Sequence, residues 1–134
     1  MSDTDDELDA IREQKREELT ERATKAPAPD TPVHVEGQSH LEQLVADHDV
    51  VLVDFYADWC GPCKMHEPTI ETLAAESDAV MAKVDIDAHQ ALAQQYRVQG
   101  VPTLYLFAGG EPVEQMVGVQ DKGTLEQKIA AASA

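Results

Sequence analysis

The sequence predicts an α/β fold, with a mixed β-sheet that carries helices on both faces. Residues 50–57 form a nearly unbroken apolar run around Asp54, which is typical of a central strand covered on both sides. Strand-like and helix-like segments alternate up to about residue 96, which predicts parallel pairing of the early strands. Gly109-Gly110 then separates two further strand candidates, which predicts a closing antiparallel hairpin.

Local signals predict the individual elements. Ser39 with Glu42 has the pattern of a capping box at the start of a first helix. A second helix is expected from about residue 61 to about 77, with Pro68 as an internal kink, and Asp121 is placed to cap the last helix. The predicted strands are 33–35, 50–57, 80–84, 103–107 and 112–119, and a short helix is predicted at 89–96.

Length and charge restrict the classes of function. A chain of 134 residues suits one domain with a short appendage, and 43% hydrophobic residues suffice for a core. There are 26 acidic and 10 basic residues, a net charge of −16, so nucleic acid and anionic membranes are not expected partners. The sequence shows neither an apolar stretch of membrane-spanning length nor the pattern of a secretory signal, so we expect a cytoplasmic protein.

The composition changes near residue 32. Residues 5–25 are rich in charge and helix formers but have only a thin apolar face, and residues 26–32 contain three prolines. We therefore expect residues 1–32 to be an acidic, helical or disordered extension with a proline-rich linker, and residues 33–134 to be the folded domain. The extension is either a solubilising tail or a docking arm.

The two cysteines, Cys60 and Cys63, lie where the buried strand gives way to a helix. Free backbone N–H groups and the helix dipole favour the thiolate of Cys60, which is the attacking species in disulfide exchange. The two-residue spacer places Cys63 one turn further on, close enough to bridge to Cys60. Pro62 lacks an N–H that the first turn would leave unpaired. A metal site is disfavoured because structural zinc takes four ligands and only His66 lies nearby in sequence.

Asp54 interrupts the most apolar segment, six residues before Cys60. A buried carboxylate is costly unless it is protonated, paired or hydrated, and Lys83 on the neighbouring predicted strand is a candidate partner. Burial would raise the pKa of Asp54 and suit it to exchange a proton with Cys63 as a mixed disulfide resolves. A paired acid with a purely structural role is the alternative.

Several motifs, in order, resemble the thioredoxin family over residues 33–134. Residues 53–65, VDFYADWCGPCKM, resemble the family's active-site strand and loop, and residues 83–87 resemble its next strand. Residues 100–103 resemble the segment that carries the family's cis-proline, and Gly109-Gly110-Glu111 and Gly118 resemble its hairpin turn and a glycine beside the substrate groove. The resemblance implies the thioredoxin fold, a central mixed sheet of about five strands flanked by helices on both faces.

The resemblance also implies a role for each site residue. Cys60 would be the nucleophile, Cys63 the resolving thiol, Asp54 the buried acid and base, and Lys83 its partner. Pro102 would be cis and face the disulfide, so that the backbone of Val101 can bind an extended substrate. The implied substrate-binding residues are Trp59, Gly61, Pro62, Val101, Pro102 and Gly118.

The function that follows is reduction of protein disulfides. The implied partners are disulfide-containing proteins and a flavin thioredoxin reductase, and no cofactor or metal need be bound to the chain, which we expect to be a monomer. The alternatives are a thiol oxidase or disulfide isomerase of the same fold, and a binding or holdase module without turnover. The Gly-Pro spacer between the cysteines argues against an oxidase or isomerase.

Three features depart from the family pattern or lie outside it. Tyr56 stands where many members have tryptophan, and His66-Glu67 replaces a more apolar pair before Pro68. We expect His66 to be an exposed helix residue. Residues 1–32 carry a net charge of −5 and residues 33–134 one of −11, so both parts are acidic, as in proteins of salt-loving organisms.

Overall fold

Five strands form one mixed sheet in the computed structural model, which describes residues 27–133. The strands are β1 (Val33–His34), β2 (Val50–Tyr56), β3 (Val80–Asp85), β4 (Thr103–Ala108) and β5 (Glu111–Val117), in the spatial order β1-β3-β2-β4-β5. β3 pairs in parallel with β1 and β2, whereas β4 pairs antiparallel with β2 and β5. The predicted mixed sheet, with early parallel strands and a closing hairpin, is confirmed.

Four helices cover the two faces of the sheet within the described residues: α1 (Gln38–Asp47), α2 (Gly61–Glu76), α3 (Gln90–Gln95) and α4 (Lys122–Ser133). α2 and α4 pack on the face that includes Val50 and Leu52, and α1 and α3 pack on the face that includes Val51 and Val53. Because β2 is buried on both sides, its side chains divide between two separate cores, which explains its nearly continuous apolar sequence.

The hairpin between β4 and β5 turns at Gly109 and Gly110, as predicted. Both have positive φ angles, of 61° and 85°, and they join Ala108 to Glu111 as a two-residue loop. This conformation matches the twist of the flanking strands but is strained for a residue with a Cβ, so glycine is required at both positions.

One local prediction is wrong. Ser39 and Glu42 form no capping box, since α1 begins at Gln38 after Gly37 and no side chain caps its N-terminus. The side chain of Gln38 instead donates to the Glu42 carboxylate at 3.2 Å. The helix is held by Leu41, which is fully buried against the sheet, and thus by tertiary packing more than by a cap.

The predicted N-terminal helix within residues 1–26 lies outside the described residues. Residues 27–32, the end of the predicted linker, have irregular backbone, and Ala28 packs against the core on the α1 face. None of the helices described between residues 27 and 133 combines the length and the apolarity needed to span a membrane.

Candidate active site

The two cysteines lie at the N-terminus of α2, directly beyond the end of β2. Cys60 is the N-cap residue, and its sulfur accepts a hydrogen bond from the backbone N–H of Cys63 at 3.1 Å. The two residues are joined as a disulfide with their Cα atoms 5.3 Å apart, and both side chains are buried. Pro62 occupies the first turn of the helix, where a missing N–H costs nothing. The predicted strand-to-helix placement of the pair is therefore present.

A second segment approaches the disulfide from β4. The Sγ atom of Cys60 lies 3.6 Å from the carbonyl oxygen of Val101, and the Val101–Pro102 peptide bond is cis. The N–H of Gly118 donates to the carbonyl of Pro102 at 2.8 Å, which ties the end of β5 to this segment. Gly118 has a φ angle of 90°, in the region that favours glycine. The fold thus brings Val101 to the disulfide and joins Gly118 to the neighbouring Pro102.

Exposed apolar side chains lie beside the cysteine pair. Trp59 is 70% exposed and Met65 is 77% exposed, although both are large hydrophobic residues. Gly61 and Pro62 are also exposed, whereas Pro102 is buried. Exposed apolar surface next to a reactive group is typical of a docking site. Met65 was not among the predicted substrate-binding residues.

Asp87 orients Trp59 and was missed by sequence reasoning. The indole N–H of Trp59 donates to Asp87 Oδ2 at 2.9 Å, and Asp87 lies just after β3. This bond satisfies the only polar group of the indole while its apolar face stays open to solvent. The sequence carried no local signal for the contact, because the two residues are 28 positions apart.

Asp54 is buried on the face of β2 that carries α2. Its side chain is 3% exposed, and its Oδ1 atom has no hydrogen-bond partner. The pKa of Asp54 is raised from 3.8 to about 6, mainly because of burial; the nearby Lys83 opposes this rise and the negative charge of Glu67 adds to it. An acid that titrates near neutral pH can both accept and return a proton under physiological conditions.

Lys83 lies beside Asp54, but its direct ion pair is with a different residue. The two residues are in register on neighbouring parallel strands, as predicted. The Lys83 ammonium nevertheless pairs with Glu67 Oε1 at 3.5 Å and lies 4.4 Å from the centre of the Tyr56 ring. Lys83 therefore acts on Asp54 as a neighbouring charge that lowers its pKa, while its direct ion pair is with Glu67. Glu67 reaches Lys83 from α2, a tertiary contact that strand patterns alone do not encode.

His66 is a second correction, because it is fully buried and not exposed. Its Nε2 atom accepts a hydrogen bond from the backbone N–H of Gln120 at 3.4 Å, and its Nδ1 atom has no partner. Burial lowers the pKa of His66, so the neutral ring is favoured. The ring connects α2 to the segment that follows Gly118. Its spacing from Cys63 and Ile70 is that of one buried helix face, so the helical period was the signal that could have predicted its burial.

No group of three or more His, Cys, Asp or Glu side chains in residues 27–133 is arranged to hold a metal ion. The cysteine pair has no histidine or carboxylate completing a four-ligand set there.

Comparison with known proteins agrees with this geometry. The family model described as Thioredoxin matches residues 31–131. The chain belongs to the thioredoxin family. A thioredoxin from Chlamydia trachomatis is 46% identical over 99 residues, covering 73% of this chain and 96% of that protein. A mutant thioredoxin from Halobacterium salinarum, solved as a structure, is 54% identical, covers 81% of this chain and 96% of its own, and superposes with a TM-score of 0.78.

A third relative combines two activities in one chain. A bifunctional thioredoxin reductase/thioredoxin from Mycobacterium leprae is 37% identical over 100 residues, which is 73% of this chain and 22% of that protein. Thioredoxins are thiol-disulfide oxidoreductases, and this chain has the thioredoxin fold with a cysteine pair at disulfide distance. It is a protein-disulfide reductase of that family.

Proposed function

We propose that this thioredoxin reduces protein disulfides through Cys60 as nucleophile and Cys63 as resolving thiol. The observation that carries this assignment is the hydrogen bond from the Cys63 N–H to Cys60 Sγ at the start of α2. Together with the helix dipole, this donor stabilises negative charge on the Cys60 sulfur. Cys63 lies inside the first turn of the helix, within disulfide distance of Cys60.

The cycle begins when the Cys60 thiolate attacks one sulfur of a substrate disulfide. That disulfide breaks, a mixed disulfide forms, and the first substrate thiolate leaves and takes up a proton. Cys63 then gives its proton to Asp54 and attacks Cys60. The second substrate thiol is released and the Cys60–Cys63 disulfide remains, so two electrons have passed to the substrate.

Asp54 is assigned the proton transfer on the basis of its burial and its pKa of about 6. A base with this pKa is ionised at neutral pH and can accept the proton of the resolving thiol. Lys83 is assigned the role of a nearby positive charge that favours the ionised form of Asp54. Both assignments rest on the position of these residues beside α2.

The docking surface is assigned to Trp59, Gly61, Pro62, Val101, Pro102 and Gly118. The supporting observations are the exposure of Trp59 and the proximity of the Val101 carbonyl to Cys60. An extended substrate would pair with the backbone of Val101 while its sulfur lies against Cys60. Because Pro102 is buried, its part is to shape this segment.

A reductase must restore the dithiol, and we assign this to a flavin thioredoxin reductase. The bifunctional relative joins a reductase and a thioredoxin in one chain, which supports such a partnership. We further propose that the chain works as a cytoplasmic monomer, since a disulfide reductase acts where thiols are kept reduced. Residues 33–134 are proposed as the redox domain and residues 1–32 as an acidic extension.

The reduction potential of the Cys60–Cys63 pair tests the proposal. The pair is equilibrated against a dithiol buffer in molar KCl and its oxidised fraction is measured. A value near the family's reference of about −270 mV supports the reductase. A value higher by about 90 mV, equivalent to roughly 4 kcal/mol for two electrons, would assign the chain to oxidation or isomerisation instead.

A further inference from the structure

Two carboxylates lie near the single buried ammonium of the site, and only one of them binds it. Lys83 is 9% exposed, lies in register with Asp54, and pairs with Glu67 at 3.5 Å. Asp54 keeps one oxygen without any hydrogen-bond partner. The Lys83 ammonium thus forms an ion pair with Glu67 on the helix, and it acts on Asp54 on the strand only at a distance.

We propose that Glu67 is a positioning residue, which draws the Lys83 ammonium away from Asp54 and thereby sets the pH range over which Asp54 holds its proton. The inference rests on the proposed function, because a proton at Asp54 matters to catalysis only if Asp54 serves Cys63. Glu67 itself touches neither the cysteines nor a substrate.

The difference in exposure explains why Lys83 pairs with Glu67. The side chain of Glu67 is 45% exposed, so it keeps much of its hydration while it binds the ammonium. A direct Asp54–Lys83 pair would require two nearly buried ions to lose their water, and the attraction between them often fails to offset this cost. The ring of Tyr56, 4.4 Å from the ammonium, adds a cation–π contact that helps to hold the Lys83 side chain.

A cavity lies on the Glu67 side of this pair. Its volume is about 390 Å³, and its lining includes Glu67, Lys83, Asp30, His34 and Glu71. Asp54 does not line the cavity. The Glu67–Lys83 ion pair therefore borders the cavity, whereas Asp54 does not. Residues 30–32 and His34, near the start of the described part of the chain, also line this cavity.

The charged groups around Asp54 can be assigned to the elements packed against it. β3 contributes Lys83, α2 contributes Glu67 and the cysteine pair, and β2 itself contributes Tyr56, while β4 presents the uncharged Leu104 opposite Asp54. Asp30, His34 and Glu71 lie around the cavity, and Asp85 and Asp58 act on Tyr56. Glu67 is the one carboxylate among these that binds Lys83 directly.

The test is the titration of the Asp54 carboxyl carbon, followed by NMR in the oxidised full-length protein. Glu67→Gln frees the ammonium to face Asp54 and removes a repelling charge, so the midpoint should fall by about 0.5–1 pH unit, a roughly three- to tenfold weaker proton affinity. Glu71→Gln is the matched control, since it removes the same charge one turn along α2 without a bond to Lys83. An unchanged midpoint in Glu67→Gln overturns the proposal.

A second background shows whether Glu67 acts through Lys83. In Lys83→Met the effect of Glu67→Gln should shrink to less than half, because there is no ammonium to redirect. An equal shift in both backgrounds would mean that Glu67 acts on Asp54 directly, and would overturn the positioning role. Glu67→Asp keeps the negative charge, so its Asp54 midpoint should lie closer to that of the wild-type protein than to that of Glu67→Gln.

The same variants separate this inference from the proposed function. The rate at which a mixed disulfide resolves is measured against pH in the Glu67→Gln protein. If that profile follows the shifted Asp54 midpoint, both statements stand. If the NMR midpoint moves while the rate profile does not, Glu67 still positions Lys83, and it is the assignment of Asp54 as proton acceptor that fails.

Discussion

The backbone N–H of Cys63 donates a hydrogen bond to the sulfur of Cys60 at 3.1 Å, so the reacting atom also caps the helix that carries its partner. A serine or aspartate oxygen serves as the cap in most helices. Here the position is filled by the sulfur that must accept and lose negative charge. Helix geometry and thiol chemistry therefore depend on the same contact.

The order of attack predicts different results for the two cysteine variants. Cys60→Ser should abolish turnover, because it removes the sulfur at the helix N-cap that is assigned the first attack. Cys63→Ser should allow the first attack but not resolution, and mixed disulfides should accumulate at Cys60. Mass spectrometry before and after a dithiol reductant measures the trapped species.

Circular dichroism of both serine variants checks that the fold is retained. If Cys60→Ser were the variant that traps substrate, the roles of the two cysteines would have to be exchanged.

Asp54→Asn should stabilise the protein at neutral pH. In the folded state the pKa of Asp54 is about 6, against an ordinary value of 3.8 for the unfolded chain, so the folded chain binds more protons between about pH 4 and 6. The wild-type protein therefore loses stability as the pH rises through this window, and the loss persists above it. Removal of the titrating group should raise the free energy of unfolding by about 1–3 kcal/mol at pH 8 and change it little at pH 4.

Urea unfolding at these two pH values measures the difference. Asp78→Asn, a matched change at an exposed site, serves as the control and should show no such pH dependence. A gain of the same size at both pH values would mean that the effect comes from packing and not from ionisation.

His66→Leu should protect the protein against mild acid. Burial lowers the pKa of His66, so below about pH 6.5 the unfolded chain takes up a proton that the folded chain does not. The wild-type protein then loses stability as the pH falls, with a slope of up to about 1.4 kcal/mol per pH unit. The variant lacks this loss, so its advantage should grow between pH 8 and pH 5.5.

The variant also loses the hydrogen bond to Gln120, and this loss lowers its free energy of unfolding equally at pH 8 and pH 5.5. The change in the stability difference between these two pH values therefore reports the titration of His66 alone. His34→Leu, at an exposed position of β1, is the matched control. A stability difference that is constant with pH would count against the buried neutral ring.

Salt should stabilise the folded protein. The net charge of −16 produces self-repulsion that falls as the Debye length shortens to about 3 Å in molar salt. A gain of about 1 kcal/mol corresponds to a rise in Tm of about 4–8 °C in a domain of this size. Calorimetry between zero and molar KCl measures it, with an uncharged osmolyte as the control, and an unchanged Tm would contradict the halophilic hypothesis.

The fold class could be predicted from the sequence because the patterns that indicate it are local. The apolar run around Asp54, the paired glycines of the hairpin and the cysteines at the strand-to-helix junction each lie within a few residues of one another. Such patterns report backbone geometry and burial directly. The predicted capping box failed because a burial contact of Leu41 outweighs a weak terminal signal.

The partners of buried polar groups were harder to predict from the sequence. Lys83 was assigned to Asp54 from strand adjacency, and the adjacency is present, but Glu67 on α2 takes the ion pair. His66 was expected in solvent, yet it lies against the segment that follows Gly118. The Glu67–Lys83 contact joins two elements that are separate in sequence, whereas the burial of His66 follows the helical spacing of the apolar residues of α2 and could have been predicted.

The sequence by itself determined the order of the elements, the position of the reactive sulfurs at a helix start, and the presence of an acid inside a central strand. These follow from periodicity, turn residues and the cost of burying charge, all of which act over short distances along the chain. Only the tertiary structure decided which carboxylate holds Lys83, that Asp87 orients Trp59 and that His66 accepts the N–H of Gln120. These contacts join separate elements, so they exist only once the helices are packed on the sheet.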